Sequence, residues 1–454
     1  MKKLLLLVML VPCMGIAQND DSVFIKKIAD EILRNGKAYD LLKQLTKNVG
    51  GRLAGSPQMV KAEQWGLAAM KQQGADNAYL QQCMVPHWVR GTGDKVIVAE
   101  IDNKQTARNL DAAALGNSIG NNKVVVAEVL AVANFDELEK RKDEVKGKIV
   151  YYNAGFDPTN IRTFKSYGET GVYRRNGASR AAKYGAVGIM IRSLTEATDN
   201  NPHTGAMAYN DSFPIIPAVS LGNQDADYVW ALSKKSTFKV SMVTHGKMLP
   251  DTIGHNVIGE LKGIEFPNEY ITVGGHLDSW DLAEGAHDDG TGVVQAIEIM
   301  RTLKALGYKP KHTIRFVLFA NEENGTRGAE KYAEEAKAKN EQHIFALESD
   351  AGGFTPRSFG FTMGKEKLAK IQPWAKLLKP YGIDDLSEGG GGSDIGPLGK
   401  TFGTPLAGLQ PDSQRYFDVH HARNDVFENV NKRELLLGAV NMAALIYLVD
   451  KYGL

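Results

Sequence analysis

With 454 residues, 43% of them apolar, the chain has enough material for a sizeable buried core and for two or three structural units. Its 54 Lys and Arg nearly cancel its 53 Asp and Glu, so charge offers no footprint for nucleic acid or for an anionic membrane surface. Specificity therefore has to reside in a site.

The opening MKKLLLLVMLVPCMGIAQ combines Lys2 and Lys3, an apolar stretch over residues 4–10 and a small-x-small sequence at Gly15-Ile16-Ala17. This is the pattern of an export signal ending at residue 17, and it predicts a periplasmic or secreted protein. The apolar run is well short of the ~20 residues needed to span a bilayer, and no other segment reads as a span. Cys13 leaves with the signal, so Cys83 remains without a disulfide partner. Its setting, Gln82-Cys83-Met84-Val85, predicts a strand and a buried thiol rather than a nucleophile.

Helical spacing over residues 23–33 and 39–45 leads into the loop Gly50-Gly51-Arg52-Leu53-Ala54-Gly55-Ser56-Pro57 and a helix over 60–70. Alternation near 96–101 adds a strand to this first α/β unit. From 103 to 250 the texture changes to short strands over 123–130, 148–152, 187–192 and 215–221, which reads as a separate small domain. Its charged run over 140–148 alternates in sign, the mark of a solvated helix face. Beyond 250, strands over 270–275, 313–320 and 344–348 alternate with helices over 291–306, 328–339 and 432–451. That pattern predicts an α/β fold with a mixed, mostly parallel sheet and helices on both faces. Val293, Ile297, Met300 and Leu303 form a core stripe, and Asn431 with Glu434 offers a capping box for the last helix.

The strand-to-loop junctions of this second stretch end in metal-binding side chains: His276 after one strand, Glu322-Glu323 after the next, Asp350 after a third. In open α/β sheets functional groups collect at the carboxyl ends of strands, so these residues converge on one rim. Zinc accepts imidazole nitrogen and carboxylate oxygen, and a pair of ions ~3.5 to 4 Å apart needs an anionic ligand between them. Asp288, in the Gly-flanked loop Ala286-His287-Asp288-Asp289-Gly290, is the candidate bridge, with a helix N-terminal cap as the plainer role for these acids. Two adjacent carboxylates after an apolar strand are costly unless a cation sits beside them. One of Glu322 and Glu323 binds the ion while the other stays free to take a proton from water. Asp278, two residues after His276, is placed to hold the imidazole in its ligating tautomer. Of His420 and His421, one closes the series, and local chemistry does not say which.

These stretches, Gly274 to Asp288, Glu322-Glu323, Asp350 and Tyr416 to Asp425, resemble the M28 zinc exopeptidases, and the likeness runs over nearly the whole mature chain. Shorter matches accompany it at Leu115 to Gly120, Phe135 to Leu138, Gly147 to Val150 and Pro202 to Gly205. The resemblance implies two zinc ions per chain, one on His276, Asp288 and Asp350, the other on Asp288, Glu323 and His421, with Glu322 as general base. His421 is preferred because the family places an Asp four residues after its last histidine ligand, here Asp425. The resemblance further implies a peptidase domain of residues 18–102 and 251–454, a protease-associated domain inserted at 103–250, a cis bond between Asp288 and Asp289, and a homodimer. It departs from the family where some members carry Tyr before the last histidine ligand and this chain has His420; Ser393, Asp394 and the Gly389 to Gly392 loop are the other candidates to assist the oxyanion. The expected activity is hydrolysis of short peptides or dipeptides by a metal-activated water. A glutaminyl cyclase using one zinc and a non-catalytic receptor are the rivals, and the full ligand set argues against both.

Overall fold

The computed structural model describes residues 14–120 and 122–454. The expected export signal, Cys13 included, lies outside the described residues as far as residue 13.

Two eight-stranded sheets organise the chain. In the first, the spatial order is Asn77–Val89, Lys247–Leu261, His312–Phe319, Phe266–His276, Gln342–Glu348, Leu406–Pro411, Pro356–Thr362 and Asp385–Glu388. The four strands from His312–Phe319 to Leu406–Pro411 run parallel, with antiparallel strands outside them. Successive side chains on a strand face opposite ways, and both faces here are apolar. Val257 and Leu318 pack with the helices Pro57–Gln72, Thr291–Ala305 and Lys432–Tyr452, whereas Ile258, Val317 and Phe319 pack with Arg327–Ala338 and Gly396–Phe402. The expected α/β fold with helices on both faces is thus present, and Cys83 is buried in the Asn77–Val89 strand, where burial pushes its thiol up to about 12.

The last helix meets the length and composition of a membrane span, yet 83% of its apolar window is buried in the fold. Asn431 caps it, accepting from the Arg433 and Glu434 N–H groups at 2.9 and 3.1 Å. Only half of the expected capping box forms, because the Glu434 carboxylate turns to Thr355 and Arg415.

The second sheet runs Lys104–Leu110, Lys95–Ile101, Phe238–Val243, Val125–Val132, Ile149–Tyr152, Gly188–Arg192, Ala218–Leu221 and Ala112–Ala114. It corrects the boundary read from the sequence. The strand near 96–101 belongs here, since Val96 and Val98 bury against Leu110 and Val240. The chain therefore leaves the first sheet between Val89 and Lys95, not at 102/103. It returns between Val243 and Lys247, a few residues before the expected 250/251. The charged run over 140–148 is also not one helix face: the helix Phe135–Lys140 gives way to a tighter turn at Lys142–Glu144, pinned by Arg141 bonds to Glu137 and Glu144.

Candidate metal centre

The parallel register delivers the functional residues to one rim. His276 is the last residue of its strand and lies opposite Phe319, the last residue of the next; Glu322 and Glu323 follow three and four residues on. Asp350 comes two residues after the Gln342–Glu348 strand, on the other side of His276. Asp288 enters from the loop before Thr291–Ala305, where its own φ and ψ (−119°, 91°) are non-helical and its bond to Asp289 is cis. His420 and His421 follow the short turn Tyr416–Val419.

The two carboxylate oxygens of Asp288 face opposite ways. Oδ1 is 3.2 Å from His276 Nε2, which is itself 3.5 Å from Asp350 Oδ1. Oδ2 is 3.2 Å from His421 Nε2, which is 3.0 Å from Glu323 Oε2. Despite these approaches Asp288 Oδ2 makes no hydrogen bond of proper geometry, although it is buried. Ligands about 2.0 to 2.2 Å from a tetrahedral zinc stand about 3.3 Å from one another, so the observed separations match donors arranged around a shared cation. The donors present fit zinc.

Charge balance points the same way. Burial pushes Glu322 up to about 7, the carboxylates of Asp350 and Asp278 adding to the shift against the pull of His276 and Ser393. Burial and the Asp288 charge push Glu323 up to about 8, and burial raises Asp350 as well. Burial also works against the charge on Asp288 and His421, but their mutual pairing, with His276 and Glu323, outweighs it: Asp288 is held well below the usual carboxylate range and His421 well above the usual imidazole range. A site that crowds acids at this cost is built for a cation.

Around the donors, a second ring of groups fixes them. Asp278 differs from expectation: His276 Nδ1 donates to its main-chain carbonyl at 2.9 Å, whereas the carboxylate is 3.7 Å away. That carboxylate instead accepts the N–H groups of Glu322 (3.0 Å) and Glu323 (3.3 Å), holding the turn that carries both. Asp289 serves two ends, accepting from His276 N–H at 3.1 Å and from Gly292 N–H at 3.0 Å, so the capping role weighed for this loop falls to Asp289 and not to Asp288. Asp425 accepts the His287 and Asp288 N–H groups at 2.7 and 3.2 Å. His420 stacks on His421 with ring centroids 3.6 Å apart and lies 3.6 Å from Asp288 Oδ2, but only His421 also reaches Glu323. Burial and the neighbouring His421 keep His420 well below the usual imidazole range.

Four further residues escaped the sequence reading. Arg52, fully buried, donates to the carbonyls of Leu277, Glu284 and Gly285 and so joins the two loops that carry His276 and Asp288. Tyr416 lines the cleft one turn before His420, its ring 5.1 Å away, a spacing of four that was visible in the sequence. Arg174 and Arg175 reach the cleft from the Thr163–Ala182 helix of the second-sheet unit, and no local signal marks them. Asp394, in contrast, is fully buried and is not among the residues that line the cleft; its main-chain N–H donates to Glu348. The cleft, about 400 Å3, adjoins a cavity of about 700 Å3 through Phe164, Asp350 and Ser393, and Gly389 to Gly392 form part of the cavity wall.

An α/β sheet that gathers imidazoles and carboxylates at its carboxyl rim, taken with its relatives, defines a metallo-exopeptidase. Residues 256–446 match the model of peptidase family M28. Carboxypeptidase Q of Mus musculus is 35% identical over 415 residues, 91% of this chain and 85% of the relative. The Homo sapiens protein of that name is 34% identical over 418 residues, with the same shares. Among solved structures, the Peptidase M28 precursor from Shewanella amazonensis SB2B superposes with a TM-score of 0.89 at 32% identity, covering 95% of this chain and 97% of that one. BSAP, a zinc aminopeptidase from Bacillus subtilis, shares the fold at 20% identity, covering 91% of this chain and 95% of that one, with a TM-score of 0.64. The chain belongs to peptidase family M28.

Proposed function

We propose that the chain is a two-zinc exopeptidase acting on short peptides, dipeptides among them, and that the unit around the second sheet is a protease-associated domain. The observation that carries the reading is the back-to-back use of Asp288, whose two oxygens serve two separate imidazole-carboxylate sets. His276 and Asp350 would hold one ion with Asp288, and Glu323 and His421 would hold the other. When bound, the ions polarise the scissile carbonyl and acidify water.

Glu322 faces the same cleft and, among the described residues, pairs with no imidazole, which suits it to take the proton of the attacking water and return it to the leaving amine. Asp278 keeps that base and its ligand neighbour in register. Tyr416 and His420, both in the cleft, are placed to donate or accept near the reacting carbonyl.

Arg174 supports a substrate with a free carboxylate. It is 5% exposed, its Nε has no partner, and among the described residues no carboxylate pairs with it; its Nη2 donates to Tyr167 at 2.7 Å. A buried guanidinium without an anion is expensive, and the carboxyl end of a dipeptide supplies one. The test is a panel of dipeptides with either terminus blocked, assayed with the zinc-loaded enzyme. Equal turnover of carboxyl-amidated and free dipeptides would remove the role given to Arg174, and no turnover of any peptide would remove the reading.

A further inference from the structure

The two halves of the metal centre are supported differently. On one side, His276 N–H donates to Asp289 and its Nδ1 to the Asp278 carbonyl. Asp350 follows Ser349, whose hydroxyl donates to Gln295 at 2.7 Å and whose N–H donates to Gly274 at 3.1 Å. All of these groups belong to the first-sheet unit.

On the other side, the two donors that pair with Asp288, His421 and Glu323, lean on the second-sheet unit. His421 has a positive φ of 61°, a conformation that costs a non-glycine residue of order 1–3 kcal/mol unless its surroundings hold it. A reciprocal pair with Thr204 does so: Thr204 N–H donates to the His421 carbonyl at 3.0 Å, and His421 Nδ1 lies 3.2 Å from the Thr204 carbonyl. A carbonyl can only accept, so Nδ1 carries a hydrogen, which directs Nε2 toward Glu323 and Asp288 as the nitrogen available to a metal. The longer approach of Arg174 to Nδ1, 3.5 Å, asks for the opposite tautomer and is the weaker of the two.

Glu323 has the same dependence. Its Oε1 accepts the main-chain N–H of Trp280 at 3.2 Å, and the Trp280 ring sits in a notch made by Gly116, where a Cβ would come within 1.8 Å of the ring. Asn324, the next residue, donates to Asn117 Oδ1 at 3.2 Å. Gly116, Asn117 and Thr204 all lie outside the unit that carries the metal donors.

We propose that the metal position on His421 and Glu323 is built across the boundary between the two units, with Gly116, Asn117 and Thr204 as positioning residues, so that loosening the boundary releases this ion selectively while the ion on His276 and Asp350 stays. The second-sheet unit is then a structural part of one metal position and not merely a wall of the cleft. Movement between the units would couple substrate access to the completeness of the metal pair.

This inference rests on the two-zinc reading, and the experiment separates the two. The full chain, loaded with zinc, is equilibrated over a series of buffered free-zinc concentrations, and bound zinc per chain is measured by atomic emission. Gly116→Ala drives a methyl into Trp280; Asn117→Gly removes only the amide, at a φ of 66° that glycine tolerates, and serves if the first variant does not fold. Near-UV circular dichroism reports folding. Wild type should hold two equivalents; in the variants one should need roughly 10- to 100-fold more free zinc while the other moves by less than about twofold. Adding His276→Ala should remove the equivalent that remains. If both equivalents shift together in a folded variant, or neither shifts, the inference is overturned and the two-zinc reading stands. A wild-type chain that holds a single zinc would overturn that reading and the inference with it.

Discussion

Replacing Asp278 with Asn tests the division of labour around the base. The carboxylate is fully buried and accepts two N–H groups, from Glu322 at 3.0 Å and Glu323 at 3.3 Å. Asparagine keeps one accepting oxygen and turns an NH2 toward the other N–H. One hydrogen bond to a charged acceptor is lost, worth about 1.5–3 kcal/mol. Felt at the turn that aims Glu322, that loss lowers kcat/KM roughly 10- to 150-fold. The His276 tautomer should survive, because it is set by the main-chain carbonyl of residue 278, 2.9 Å from Nδ1. The assay is steady-state dipeptide hydrolysis at saturating zinc, with bound zinc measured in parallel. A variant that loses the ion on His276, or one whose kcat/KM stays within about twofold of wild type, would refute the assignment.

Glu322→Gln should retain both metals and lose at least about 100-fold in kcat, the lower end for removing a positioned base. Arg174→Gln should raise KM for free dipeptides by roughly 10- to 100-fold and leave carboxyl-amidated ones unchanged, the size of one lost charged hydrogen bond; a matching change for both substrates would contradict the proposed carboxylate contact. The metal-free protein should lose stability as pH rises. Burial and neighbouring acids push Glu322 up to about 7 and Glu323 up to about 8, above the roughly 4.3 of an unfolded Glu. The folded state therefore holds extra protons, and its advantage falls as pH climbs from about 4.3 through about 8. Thermal melts of metal-free protein across that window check the sign, and a Tm that increased would refute it. Zinc uptake near neutral pH should expel those protons, which calorimetry in two buffers of different ionisation heat would detect.

Much of this site could be read before folding because parallel sheets bring strand ends together: His276, Glu322, Glu323 and Asp350 each follow a strand, and Asp288 sits where Gly-rich sequence forbids a regular helix. What the spacing could not supply was direction. Two residues between His276 and Asp278 are compatible with a contact through the carboxylate or through the carbonyl, and the chain uses the carbonyl, freeing the carboxylate for the next loop. The strand near 96–101 was assigned to the wrong unit for a related reason: its alternation of Val96 and Val98 is the same whichever sheet receives it. Arg174 and Thr204 were invisible as site residues because their partner, His421, lies more than two hundred residues away in sequence. Tyr416 was within reach, since a single turn places it under His420.

The paired-metal claim is tested most directly by anomalous diffraction at the zinc absorption edge from crystals grown with zinc. Two peaks about 3.5 to 4 Å apart, one on each oxygen of Asp288, are the predicted result. A single peak, or peaks that leave Asp288 outside the coordination of either ion, would contradict it.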